Sequence, residues 1–186
     1  MKIIAGVDEA GRGSLIGPVF AAAVILNSSI NKKLIKDSKK LSKKQRENLF
    51  NYIKKNSIWS IGKATVKEIE KKNILEASLL AMKRAIMKLN KKPTLILIDG
   101  DKSPKISSYK IKTLIKGDQK IPSISAASIV AKVSRDKLIT KLGRKFRGYY
   151  WDKNFGYGTK KHLKAIKTLG ITSHHRKTFS PINKLK

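Results

Sequence analysis

Cysteine is absent from the 186 residues, which excludes disulfides, thiol nucleophiles and thiolate zinc sites together. Any metal must be held by oxygen or imidazole. Acid is scarce too: 12 Asp and Glu stand against 43 Lys and Arg, for a formal net charge of +31. A field of that sign attracts polyanions and makes their binding depend strongly on salt. Lys is spread along the whole chain, as codon bias alone would spread it, so the charge permits a nucleic-acid partner without designating one. Long hydrophobic runs are also missing. The apolar stretch at residues 19–26 is far below the ~20 residues that span a bilayer, and the first residues enter a strand directly instead of a basic, apolar and cleavable leader. A soluble, cytoplasmic protein without membrane contact is expected. The length suits a single domain, 1–186, with a real core, and there is no internal repeat or low-complexity linker.

Against that background the few acids are informative. A short β-branched run at residues 2–7 halts at Asp8 and Glu9, followed by Gly11, Arg12 and Gly13. Alone, such a pair reads more readily as a cap on the next turn. However, a second apolar run at 94–98 ends at Asp99, and a third at 113–117 delivers Asp118 in the same manner. Acids at the rim of a core are costly to desolvate and repel one another unless a cation shares the site. If helices cross over between parallel strands, the carboxyl ends of the strands share one sheet edge, where α/β folds place ligands. Asp8, Glu9, Asp99 and Asp118 then converge.

The intervening pattern supports an α/β reading. Residues 18–26 continue as a hairpin-like second strand, and 58–64 read as another. Ser42 and Gln45 form a capping box before a helix with Leu49, Tyr52 and Ile53 on its apolar side; Thr65 and Asn73 open two more. In the last of these, Leu75, Leu79, Met82, Ile86 and Leu89 mark the core-facing stripe. Residues 124–142 predict a helix rich in small residues, suited to close approach against a sheet. An aromatic loop at 148–158 precedes a helix capped by Thr159 and ending near Gly170, and the tail beyond it reads as irregular.

Four carboxylates without cysteine make a hard, oxygen-rich site suited to Mg²⁺ or Mn²⁺. Beside a phosphodiester, a pair of such ions about 3.5–4 Å apart clamps an in-line displacement, which is nuclease chemistry. The glycines at 11 and 13 let main-chain groups approach a nucleic-acid strand and test for a 2′-OH. Other candidates read more plainly. A dinucleotide-binding reading of the glycines fails because a strand, not a helix, follows them. Asp101 is expected to be a solvated turn residue, and His162, His174 and His175 packing or surface residues. Tyr149, Tyr150, Trp151 and Phe155 are expected to fill the core.

Taken in order, GVDEAGRG (6–13), GPV (17–19), DSKKLS (37–42), IDGD (98–101), KGD (116–118), ISAASIVAKVSRD (124–136) and GYGT (156–159) resemble the ribonuclease HII family over almost the entire chain. The resemblance implies a ribonuclease H-like fold, a mixed five-stranded sheet flanked by helices with a helical C-terminal region from about residue 141 that contributes to substrate binding. It implies an endoribonuclease acting on RNA–DNA hybrids and 5′ of single ribonucleotides in duplex DNA, leaving a 3′-OH and a 5′-phosphate. Asp8, Glu9, Asp99 and Asp118 fall on the family's catalytic metal-site acids, for two Mg²⁺ or Mn²⁺ ions. Gly11, Arg12 and Gly13 fall on its ribonucleotide-recognising segment, and Tyr157 on the tyrosine that packs on the neighbouring deoxyribose. Lys39, Lys40 and Lys132 are expected at phosphates. Ser14, Leu15 and Ile16 depart from the usual Pro-Leu-Ala, which touches local packing. A monomer is expected, and the tail carries no clear motif for a sliding clamp. The alternatives are the sister family ribonuclease HIII, which has glutamate where this chain has Asp118, and a non-catalytic hybrid-binding protein.

Overall fold

The computed structural model describes residues 2–35 and 41–184. Lys39 and Lys40 therefore lie outside the described residues. Strands β1 (Ile4–Ala10), β2 (Val19–Leu26), β3 (Ser57–Ala64), β4 (Leu95–Asp99) and β5 (Ile111–Leu114) form one five-stranded sheet in the order β3-β2-β1-β4-β5. β2 pairs antiparallel with both β1 and β3, whereas β4 is parallel to β1 and β5 to β4. The expected mixed α/β sheet is present, and the parallel pair places the ends of β1 and β4 side by side, with Val7 opposite Ile98.

β1 extends further than its apolar run. It carries Asp8 and Glu9 inside the strand, because both pair across to β2, opposite Ala22 and Ala21. The third run differs as well. β5 stops at Leu114, Lys116 turns left-handed at φ 56°, and Asp118 rides on the short helix α4 (Gly117–Lys120) instead of a strand exit.

Helix α1 (Lys43–Lys55) starts in the expected Ser42–Gln45 capping box and covers one face of the sheet together with α5 (Pro122–Lys145). The opposite face is covered by α2 (Val66–Lys72) and α3 (Ile74–Met87). The buried stripe of α3 is Ala77, Ser78, Ala81, Met82, Ala85 and Ile86, with Leu75, Leu79 and Leu89 at its margins. Small side chains let this helix sit close enough for the Ser60 hydroxyl of β3 to donate to the Ala85 carbonyl at 2.6 Å. On the other face α5 presses equally closely on β1: a Cβ on Gly6 would lie 2.1 Å from the Ser123 backbone. This contact fixes the height of α5 over the acids.

A third cluster joins Leu15, Ile16 and Ile139 to α6 (Trp151–Asn154), α7 (Lys160–Leu169) and Ile182. The tail is irregular but anchored: Ile16 bridges to His175, and the Gly17 amide donates to the His174 carbonyl at 2.8 Å. Among the described residues, no helix is long and apolar enough to cross a membrane.

Candidate active site

Carboxylate oxygens of Asp8, Asp99 and Asp118 all lie within 4.8 Å of one another. Parallel pairing of β1 with β4 delivers the first two, and the turn into α4 swings the third across them. Asp99 Oδ1 accepts from the Gly117 amide at 2.7 Å, which locks that turn to the strand end. The Ser125 hydroxyl donates to the Asp118 carbonyl and ties α4 to α5. Asp8 Oδ1 accepts from the Glu9 amide at 2.7 Å, and the Ser128 hydroxyl of α5 also donates to its carboxylate.

The electrostatics follow from this crowding. Burial, reinforced by Glu9 and Asp99, pushes the Asp8 carboxyl well above the ordinary carboxylate range, against the lowering effect of the Ser128 bond. Glu9 is also raised, by burial first and Asp99 next, while Arg12 opposes the shift. Burial and crowding disfavour the charged carboxylates until a cation shares the site, so the donor set fits a hard divalent ion. Glu9 stands outside the trio, since its Oε1 accepts from Arg12 Nη1 at 3.3 Å. It nevertheless lines the same cavity of about 390 Å³, together with Gly11, Gly13, Lys132 and Tyr157.

The glycine turn is held from behind by two buried arginines that periodicity did not reveal. Arg135, on α5, donates to the carbonyls of Ile16 and Phe155 at 3.3 and 3.1 Å. Arg176, in the tail, donates to Gly17 and Arg12 carbonyls, both at 2.9 Å. Gly11 has φ 93°, and a Cβ there would sit 2.1 Å from Arg135 Nε, so both conformation and space demand glycine. Burial, followed by the neighbouring Arg135, lowers Arg176 to about 9, which leaves it charged at neutral pH.

Tyr157 is 37% exposed, with its ring 5.9 Å from Lys132 Nζ. Its backbone is fixed by buried His162. Trp151 Nε1 donates to His162 Nε2 at 2.9 Å, so the ring proton resides on Nδ1, which faces the Tyr157 carbonyl at 2.9 Å. His162 and His175 are packing residues, as expected from sequence. The signal that His162 does more is its place three residues after Thr159, in the first turn of α7 directly behind GYGT. Lys132 reaches the cavity wall and pairs with Asp136 at 3.2 Å. Asp101 is exposed and away from the trio, as expected. Tyr149 and Trp151 are buried, whereas Tyr150 is 47% exposed and does not fill the core.

The family model for Ribonuclease HII matches residues 5–182. The chain is 72% identical over 185 residues to the Ribonuclease HII of Pelagibacter ubique (strain HTCC1062), covering 100% of both. Among solved structures, the ribonuclease H2 of Pyrococcus horikoshii OT3 superposes with a TM-score of 0.82 at 29% identity, over 98% of this chain and 96% of that one. The PCNA:RNase HII complex of Archaeoglobus fulgidus gives 0.74 at 28% identity, over 96% and 95%. With identity running from end to end and the same sheet, the chain belongs to the ribonuclease HII family and is an endoribonuclease that hydrolyses RNA in RNA–DNA hybrids.

Proposed function

We propose that Asp8, Glu9, Asp99 and Asp118 are the catalytic acids and hold two divalent ions, Mg²⁺ or Mn²⁺. The observation that carries this reading is a trio of aspartate oxygens within 4.8 Å in a chain of net charge +31. When bound, the ions supply an activated water and neutralise charge developing on the leaving oxygen. The protein's own part is placement. Asp8 and Asp99 are set by the strand pair, Asp118 by the α4 turn, and Ser128 orients Asp8.

Gly11, Arg12 and Gly13 present main-chain groups to the ribose, held in register by Arg135 and Arg176. Tyr157 packs on the adjoining sugar, and Lys132 approaches a phosphate; Lys39 and Lys40 are assigned to phosphates from the motif alone. Cleavage falls 5′ of the ribonucleotide and leaves a 3′-OH and a 5′-phosphate. That specificity suits removal of ribonucleotides and primers from cytoplasmic DNA, by a single-domain monomer whose C-terminal region from about residue 141 helps to bind the duplex. The Archaeoglobus relative is seen with PCNA, and no clear clamp-binding motif is legible in this tail.

The test is a duplex bearing one ribonucleotide, cut with each metal and mapped to the nucleotide. Asp8→Asn or Asp99→Asn should lower the Mg²⁺-supported rate at least ~10³-fold, the loss expected when several kcal/mol of charge stabilisation vanish. Wild-type-like cutting by either variant would overturn the assignment.

A further inference from the structure

Tyr150 was expected in the core and instead stands 47% exposed. Its backbone is left-handed, at φ 59° and ψ 31°, a conformation that costs a non-glycine residue stability. A strained residue holding an aromatic ring out in solvent calls for a use. The ring divides two clefts. One, of about 430 Å³, is lined by Lys43, Arg144 and Arg147 with Asp152 as its acid. The other, of about 370 Å³, holds Lys161 and Lys164, and Lys161 Nζ lies 6.0 Å from the Tyr150 ring centroid.

These cations continue a track that begins at the acids. Lys132 lines the carboxylate cavity and lies 5.8 Å from the Phe155 ring. Phe155 in turn lines the groove between α1 and α5, which also contains Lys43, Lys137, Lys141 and Arg144. From Lys132 to Arg144 the helix rises about 18 Å, the length of about five base steps on one strand.

We infer that Tyr150, with Lys43, Arg144, Arg147 and Lys161, is a second contact for the substrate, gripping the sugar–phosphate backbone of the flanking duplex about five base pairs from the cut. The ring packs on a sugar face while the cations neutralise neighbouring phosphates. An aromatic between cationic clefts, continuous with a nuclease cavity, matches a nucleic-acid strand better than an acidic peptide, which would have no reason to follow the track to the acids. The inference rests on the carboxylate cavity being the cutting site.

The test compares Tyr150→Gly with wild type on single-ribonucleotide duplexes whose flanks are shortened from about fifteen to about two base pairs, one side at a time. Glycine relieves the left-handed strain, so the thermal midpoint should hold or rise. On long flanks KM should increase about three- to tenfold with kcat within about twofold. With one particular flank removed, variant and wild type should become equal. Tyr150→Phe should retain the wild-type KM, and Arg147→Gln should reduce the salt slope of log KM by about 1. Equal KM values for wild type and Tyr150→Gly at every length would overturn the inference, as would a penalty that persists on short flanks. Cutting of the short duplex by wild type, and its loss in Asp8→Asn, tests the underlying site separately.

Discussion

Two clusters of like charge flank the same glycine turn, and the fold treats them in opposite ways. Asp8, Asp99 and Asp118 face an open cavity, and burial and mutual repulsion raise Asp8. Arg135 and Arg176 are at most 1% exposed, and each spends its donors on backbone carbonyls of the loop region. The first cluster is repulsive and accessible, which is what a cation site needs before its cation arrives. The second is closed and hydrogen-bonded, which makes it a clamp, though Arg135 Nε and Arg176 Nη2 find no partner among the described residues. Charge burial alone therefore does not mark a reactive site; access and unmet demand for counter-charge do.

The sharpest break between the clusters is the sign of a mutation's effect on stability. Arg176→Met leaves the carbonyls of Arg12 and Gly17 without their donor and empties a buried site, and should destabilise by about 2–4 kcal/mol in chemical denaturation. Asp8→Asn removes repulsion and should instead raise the denaturation midpoint of the metal-free protein. If both variants lose stability equally, the acids are structural and the contrast fails.

Metal addition should separate the clusters next. Mg²⁺ at a hundredfold excess over its Kd should stabilise wild type by about 2.7 kcal/mol. Arg176→Lys should keep that increment and Asp99→Asn should lose most of it, as read from thermal midpoints with and without the ion.

A third break concerns pH behind the clamp. Burial, then the neighbouring His162, lowers fully buried His175 from 6.5 to about 4. The unfolded ring takes up a proton that the folded ring resists, so its contribution is complete above pH 6.5 and declines as pH falls to about 4. Denaturation midpoints across that window should slope less in His175→Gln than in wild type. Identical slopes would remove His175 from the acid response.

Much of the fold was legible because its signals are local. Capping boxes at Ser42 and Thr65 form within four residues, and both are present. The run ending at Asp99 likewise became β4, because a short continuous apolar run with β-branched residues is a signal carried by neighbouring positions. Longer-range features were not legible. Asp118 reaches the site from a helical turn, since the left-handed residue Lys116 breaks the strand early. The stripe of α3 is centred on alanines because closeness to β3, not hydrophobicity, sets which side faces inward.

The order of motifs and the hardness of the donor set were written in the chain, for they depend on residue type and spacing alone. Their convergence was not. Strand pairing between β1 and β4 brings Asp8 to Asp99 across 91 positions' worth of chain, as Ile3 N meets Thr94 Oγ1 at that separation. The same long-range packing sets Arg176 beneath Arg12 and turns Tyr150 outward. Such placements are decided by which surfaces can be buried together, and that is a property of the whole fold, not of any segment.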